Sequence, residues 1–131
     1  MKINDLTREI IGAGIEVHRR LGPGLLESAY ETCLCHELAL RKIPFRRQVD
    51  LPIEYKGIKL ATGYRIDILV MEKVALELKA IERVDKIHEV QLVTYLKLGG
   101  WPLGLLMNFN VEVMRKGIHR KINGNIEGLT L

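Results

Sequence analysis

Residues 63–80 read GYRIDILVMEKVALELKA, and the fold is decided there. Two apolar runs, Ile66 to Val70 and Val74 to Leu78, flank Glu72-Lys73. Glu72-Lys73 reads as a tight turn, so the runs become neighbouring antiparallel strands. Each strand carries charge where apolar residues dominate. Asp67 interrupts the first, and Glu77 and Lys79 alternate with Leu76 and Leu78 in the second. Period-two geometry puts Glu77 and Lys79 on one face and the leucines on the other. The turn sets Asp67 across from Glu77 or one step off in register.

Two carboxylates about 4 Å apart repel by about 1 to 4 kcal/mol between the dielectric of water and that of a protein surface. A fold tolerates that when a cation bridges them, when one is protonated, or when Lys79 neutralises the pair. A hard divalent cation suits the oxygen-rich set, since Mg²⁺ takes one or two protein carboxylates and retains waters. Lys79 beside it would orient a hydroxide or stabilise charge on a phosphoryl group. The same alternation also describes an ordinary half-exposed strand. Asp67 and Lys79 would then form a cross-strand ion pair worth under about 1 kcal/mol. Spacing alone leaves both readings open.

Working outward, residues 45–55 and 59–71 read as two strands joined at Lys56-Gly57, and residues 74–81 as a third, giving an antiparallel meander. Residues 85–98 are helical, with Ile87, Val90, Val93 and Leu96 among the apolar positions, and Gly99-Gly100 ends the helix. Residues 103–109 form a continuous apolar run, the mark of a strand covered on both faces. Strand, helix, strand in that order predicts a right-handed parallel crossover. Residues 117–122 add an edge strand, and residues 123–131 read as a loose, flexible tail. Upstream, residues 4–21 carry a helical stripe that Asn4 or Asp5 can cap. Gly12 and Gly14 weaken that helix by about 1 kcal/mol each and let another element come close. Gly22-Pro23-Gly24 breaks the chain, and a second helix spans residues 25–42, ended by Pro44. The order is α-α-β-β-β-α-β with a further strand: one α/β domain over residues 1–131, its mixed sheet flanked by helices.

The chain has 131 residues, 20 Lys+Arg against 16 Asp+Glu, a net charge of +4, and 47% hydrophobic residues. That is one folded domain, which excludes a multidomain machine, a coiled-coil rod and a disordered tail. Cys33 and Cys35 are too few for a disulfide framework, and side chains two apart on a helix diverge. They read as free thiols of a reduced compartment, and a Cys33-Cys35-His36 metal site lacks a second ligand cluster. The N-terminus has no signal-peptide core, and the apolar stretch around Leu103 to Met107 is too short to span a bilayer. A soluble, cytoplasmic protein without membrane contact is expected. The net charge permits a polyanionic partner without demanding one. Arg19-Arg20, Arg41-Lys42 with Arg46-Arg47, and Arg115-Lys116 with His119-Arg120-Lys121 form three basic groups. They would track phosphates if they gather around the carboxylate face, and otherwise they are a solvated surface.

Asp67 followed by Glu77-Leu78-Lys79 on the next strand resembles the D…(D/E)-x-K signature of the PD-(D/E)XK nucleases. Gly24-Leu25-Leu26-Glu27-Ser28-Ala29-Tyr30 resembles the motif that names the GxxExxY family, a small prokaryotic branch of that superfamily. Leu21 to Gly24, His88 to Leu92 with Tyr95-Leu96-Lys97, and Gly104 to Phe109 resemble the family in the same order, so the likeness runs from about Ile10 to Lys121. It implies a restriction-endonuclease-like αβββαβ core. By the resemblance, Asp67 and Glu77 hold Mg²⁺ or Mn²⁺, with Glu27 reaching the metal directly or through water. Lys79 is the catalytic lysine, and Gln91 completes the catalytic set. Tyr95, Tyr30 and His88 line the substrate. Arg65-Ile66 stand where the superfamily name has a proline, a position that varies. The implied activity is hydrolysis of nucleic-acid phosphodiesters, DNA first, and a chain this short needs a homodimeric partner to encircle a duplex. A non-catalytic nucleic-acid- or protein-binding module on the same fold is the alternative.

Overall fold

The computed structural model describes residues 1–61 and 63–131. Two helices, α1 (Ile3–Leu21) and α2 (Glu27–Leu40), precede five strands: β1 (Phe45–Asp50), β2 (Ile53–Tyr55), β3 (Ile58–Leu60), β4 (Arg65–Val70) and β5 (Val74–Lys79). Helix α3 (Lys86–Gly99), β6 (Leu103–Asn108), a short 3-10 turn (Met114–Gly117) and β7 (Ile118–Ile122) follow. One five-stranded sheet runs in the order β1-β4-β5-β6-β7. The β5–β6 pair is parallel, as the α3 crossover requires, and the other three pairs are antiparallel. This is the mixed α/β architecture with flanking helices that the element order implies.

Two apolar layers sandwich the sheet. On one face Ile68, Val70, Leu76, Leu78, Leu105 and Met107 pack with α1 and α2 residues such as Leu6, Ile10 and Leu34. On the other, Leu69, Ala75 and Leu106 pack with Leu92 and Leu96 of α3. Strand β6 touches both layers, and all six of its residues are buried. Gly14 lets α1 lie against the sheet, because a Cβ there would collide with the Met107 methyl.

Several boundaries differ from the sequence expectation. The first two expected strands each divide. Pro52, without an N–H, follows β1. β2 and β3 then pair only with each other around Lys56-Gly57, so β1 meets β4 directly. The base of this hairpin is closed by Leu51 N–H donating to the Tyr64 carbonyl at 2.9 Å. Helix α2 is shorter than residues 25–42, with Leu26 as its N-cap and Lys42 at φ 60° beyond its end. Helix α1 starts at Ile3; Asp5 acts from within the first turn, accepting the Lys2 N–H at 3.4 Å. The last nine residues do not hang free. Leu131 N–H donates to Met1 O at 3.0 Å, Ile3 N–H to Leu129 O at 3.1 Å, and Ile126 is buried in the core.

Candidate metal and active site

The β4–β5 ladder pairs Val70 with Val74, Leu69 with Ala75 and Ile68 with Leu76. The next rung would set Asp67 opposite Glu77, and there the backbone pairing gives way to side chains. Asp67 N–H donates to Glu77 Oε1 at 3.2 Å, and Leu78 N–H donates to Asp67 Oδ2 at 2.8 Å. Each carboxylate thus takes a backbone donor that the open ladder leaves unmade. The two acids sit in the fork where the central strands part.

The outer partner strand changes at the same point. Arg47 pairs with Ile68 and Val49 with Ile66, while the rung between them, Gln48 opposite Asp67, is missing. Gln48 has φ 50°, the left-handed region that bulky residues rarely occupy. Both strands turn over there. Phe45 in β1 and Ile68 and Val70 in β4 face the α1–α2 layer, whereas Val49 and Ile66 face the α3 layer. The reversal leaves Asp67 at the crossing point, within reach of groups from both layers.

The electrostatics are those of uncompensated acids. Glu77 is only 9% exposed. Burial, and then the neighbouring Asp67 charge, push its pKa up to about 8, against weaker opposing effects of the Asp67 N–H and Lys79. Asp67 is also raised, chiefly by burial and then by the Glu31 and Glu27 charges, against hydrogen bonds from Leu78 and Gln48. Lys79 lies two residues from Glu77 in β5 and forms no ion pair within 4 Å among the described residues, so the cross-strand Asp67–Lys79 bridge is not made. Its main chain is held firmly. Phe109 N–H donates to the Lys79 carbonyl at 2.9 Å. Buried Asn108 brackets Ile81, accepting its N–H at 3.1 Å and donating to its carbonyl at 3.0 Å.

The remaining candidate residues divide. Glu27 opens α2, where the helix dipole favours an acid, and its charge bears on both Asp67 and Glu77. Tyr95 projects from α3 toward the fork. Burial raises its phenol pKa first, followed by the charges of Glu77, Tyr64 and Asp67. Gln91 is exposed one turn earlier on α3. Tyr30 is placed otherwise than expected for a substrate contact. It is fully buried and stacked on Phe109 at 4.5 Å between ring centroids. Its hydroxyl donates to the Gly22 carbonyl at 2.6 Å and accepts the Leu25 N–H at 3.1 Å. It therefore fastens the turn that delivers Glu27. His88 is occupied at the start of α3, where its Nδ1 accepts the Asp85 N–H at 2.9 Å. Cys35 is buried, with its thiol pushed up to about 11 by desolvation, and both cysteines are free.

Two residues at the fork escape sequence reasoning. Glu31, four residues after Glu27 on α2, binds Arg47 at 2.8 Å and has only 12% of its side chain exposed. Gln48 Nε2 donates to Glu31 Oε1 at 2.8 Å and to Asp67 Oδ1 at 3.5 Å. The i, i+4 relation to Glu27 was a signal for Glu31. Gln48 had none, because its place opposite Asp67 appears only once the β2–β3 hairpin is set aside.

Among the described residues, no group of three or more His, Cys, Asp or Glu side chains is gathered closely enough to hold a metal ion. The donor set at the fork is the Asp67–Glu77 pair, with Glu27 standing further off. Two carboxylates suffice for a hard divalent ion that keeps most of its waters, and a buried acid beside a half-buried one, with no ion-paired cation, suits such an ion. The residues fit it on those terms.

A family model of the PD-(D/E)XK nuclease superfamily matches residues 4–121. The chain belongs to that superfamily. No curated protein and no solved structure matches it significantly. No described helix is long and apolar enough to cross a membrane.

Proposed function

We propose that this chain is a metal-dependent nuclease of the GxxExxY branch, with the Asp67–Glu77 fork as its catalytic centre. The observation that carries the reading is the meeting of these two acids where the β4–β5 ladder opens, with burial and mutual repulsion holding the Glu77 pKa near 8. Only proton uptake or a cation relieves that repulsion. Bound there, Mg²⁺ or Mn²⁺ would supply Lewis-acid polarisation of a phosphodiester and a more acidic water. Asp67 and Glu77 would hold the ion, and Glu27 would reach it from α2 directly or through water. Lys79, on the Glu77 face of β5, orients the attacking water and offsets charge building on the phosphoryl oxygens. Gln91 and Tyr95 line the approach from α3.

Nucleic acid is the substrate class the superfamily implies, and DNA is the form we propose. For a duplex the reading includes a second copy of the chain, since 131 residues are too few to surround it. The test is incubation with Mg²⁺ or Mn²⁺ and single-stranded, double-stranded and branched DNA and RNA. Cleavage by the wild type is expected, with a loss of at least about 100-fold in Lys79→Ala, the scale set by removing one transition-state donor. Equal inactivity of both proteins on every substrate overturns the reading.

A further inference from the structure

Gln48 is unusual in three independent ways. It occupies the missing rung opposite Asp67, its backbone sits at φ 50°, and its amide spans two acids of different elements. The orientation of that amide is chemically fixed. Both partners are carboxylate oxygens, so the NH₂ end must face them. One N–H meets Glu31 Oε1 at 2.8 Å, and the other reaches Asp67 Oδ1 at 3.5 Å. Behind Glu31 stands the Arg47 guanidinium, bonded to Glu31 Oε2 at 2.8 and 3.0 Å. A chain of contacts therefore runs Arg47–Glu31–Gln48–Asp67, linking β1, α2 and β4.

We propose that Gln48 is a positioning residue, whose amide aims the Asp67 carboxylate at the metal while insulating it from Glu31. The proposal rests on the Asp67–Glu77 metal reading and adds to it a residue that no motif of the resemblance contains. The geometry supplies the reason. Asp67 Oδ2 takes the short Leu78 N–H bond, whereas Oδ1 has only the long 3.5 Å Gln48 contact and is the more open of the two to an ion. A second donor touching Oδ1 lightly fixes the carboxylate plane without saturating it. Outer partners of this kind set ligand orientation, and their loss costs about 10- to 100-fold in metal affinity. The left-handed backbone follows from the same task. Lys42, Lys56, Met71 and Glu72 adopt the same region at turns, whereas Gln48 does so within a strand, where neighbouring ladder pairs hold it. The turned-over strand directs the Gln48 amide to the α2 side, where Glu31 lies, while Val49 faces the α3 layer.

Two full-length variants separate the amide from the backbone. Gln48→Met keeps the chain length and the φ strain but has no N–H donor. Gln48→Gly loses the donor and accommodates the left-handed backbone at no steric cost. The first readout needs no metal: hydrogen exchange of the Leu78 amide, which reports whether Asp67 Oδ2 stays in place. Both variants are expected to speed Leu78 exchange at least tenfold, while Leu76, paired with Ile68 one rung away, stays unchanged. The second readout is Mn²⁺ titration calorimetry, with at least a tenfold loss of affinity in both variants. Wild-type protection of Leu78 in Gln48→Met overturns the proposal, as does a change in only one variant or equal acceleration at Leu76. If wild type takes up no Mn²⁺ while Leu78 still loses protection, the nuclease reading fails and the proposal with it, since Gln48 then holds the Asp67 carboxylate toward no ion. If Mn²⁺ binds equally to all three proteins and Leu78 is unmoved, the positioning role fails and the nuclease reading stands.

Discussion

Glu77 carries the sharpest consequence at the scale of single residues. Its folded pKa of about 8 lies above the ordinary 4.5. Between those values the unfolded chain has released this proton and the folded chain still holds it. The unfolded state binds fewer protons, so stability falls as pH rises through the window. Every tenfold gain in proton affinity on folding is worth about 1.4 kcal/mol, which makes the loss on the order of 4 kcal/mol between pH 5 and pH 8.5. Asp67, raised by the same burial, adds in the same direction. Surface acids such as Glu72, lowered by its Arg46 partner, lose their contribution only below the ordinary carboxylate range and leave this window untouched. Urea unfolding of the metal-free protein should show the decline, and Glu77→Gln should remove most of it. Saturating Mn²⁺ at pH 8.5 should restore stability, because an ion that binds only the folded state stabilises it by mass action. A wild-type profile flat from pH 5 to pH 8.5 would contradict the repulsion on which the site depends.

Elements decide whether those residues meet. The β4–β5 hairpin was legible because its turn and alternation are local, and β6 because its apolar run is continuous; α3 was legible in extent from its Gly99-Gly100 stop, although Ile87 and Val90 of its expected apolar stripe are exposed and Leu92 and Leu96 carry the packing. The turn of the β2–β3 hairpin was legible at Lys56-Gly57, but the division of its strands from β1 and β4 was not, because residues 45–55 and 59–71 each read as one continuous strand. Only the cross-strand register, a non-local property, shows β1 leaving it behind. The close of the chain was misread for a similar reason: Ile126, Leu129 and Leu131 have no periodicity, and their burial depends on α1 presenting a surface. Tyr30 shows the same limit from the other side. Its spacing from Glu27 put it on the right helix face, but sequence could not tell a ring lining a site from one buried beneath it. Its hydroxyl ties Gly22 O and Leu25 N, the two ends of the Pro23-Gly24 turn that leads into α2. Tyr30→Phe keeps the stack on Phe109 and loses both bonds, at a cost of about 1 to 3 kcal/mol. For a domain of this size the melting temperature should fall by roughly 4 to 11 °C in a calorimetric scan. With Tyr30 acting on Glu27 only through the turn, Mn²⁺ affinity should drop by less than about tenfold, the lower bound for direct outer partners of a metal. An unchanged melting temperature would mean that the hydroxyl does not hold the turn.

For the molecule as a whole, the charge map separates an enzyme from a binding module. The basic groups that sequence offered as phosphate contacts are answered in part within the chain, while Lys42, Arg115, Lys116 and Arg120 form no ion pair among the described residues. Arg19 and Arg20 pair with Glu16, Arg41 with Glu37, Arg46 with Glu72, Arg47 with Glu31 and Lys121 with Glu89. Paired cations release fewer counterions, so sequence-independent attraction to phosphate rests mainly on the unpaired ones, Arg115, Lys116 and Arg120 foremost. At the fork the field is negative and opposes a phosphodiester until it is neutralised. A module that only binds would gain by losing these acids, whereas a nuclease needs them to recruit the ion that reverses their effect. Fluorescence anisotropy with a labelled oligonucleotide distinguishes the two. Without divalent ions and at about pH 9, above the Glu77 pKa of about 8, the Asp67→Asn/Glu77→Gln protein should bind several-fold more tightly than wild type, because two like charges near the phosphate are gone. Adding Ca²⁺, another hard oxygen-seeking ion, should tighten wild-type binding by tenfold or more and leave the double variant unmoved. Binding that ignores Ca²⁺ in both proteins, at equal affinity, would take the acids out of substrate recognition and give the fold to the binding-module reading.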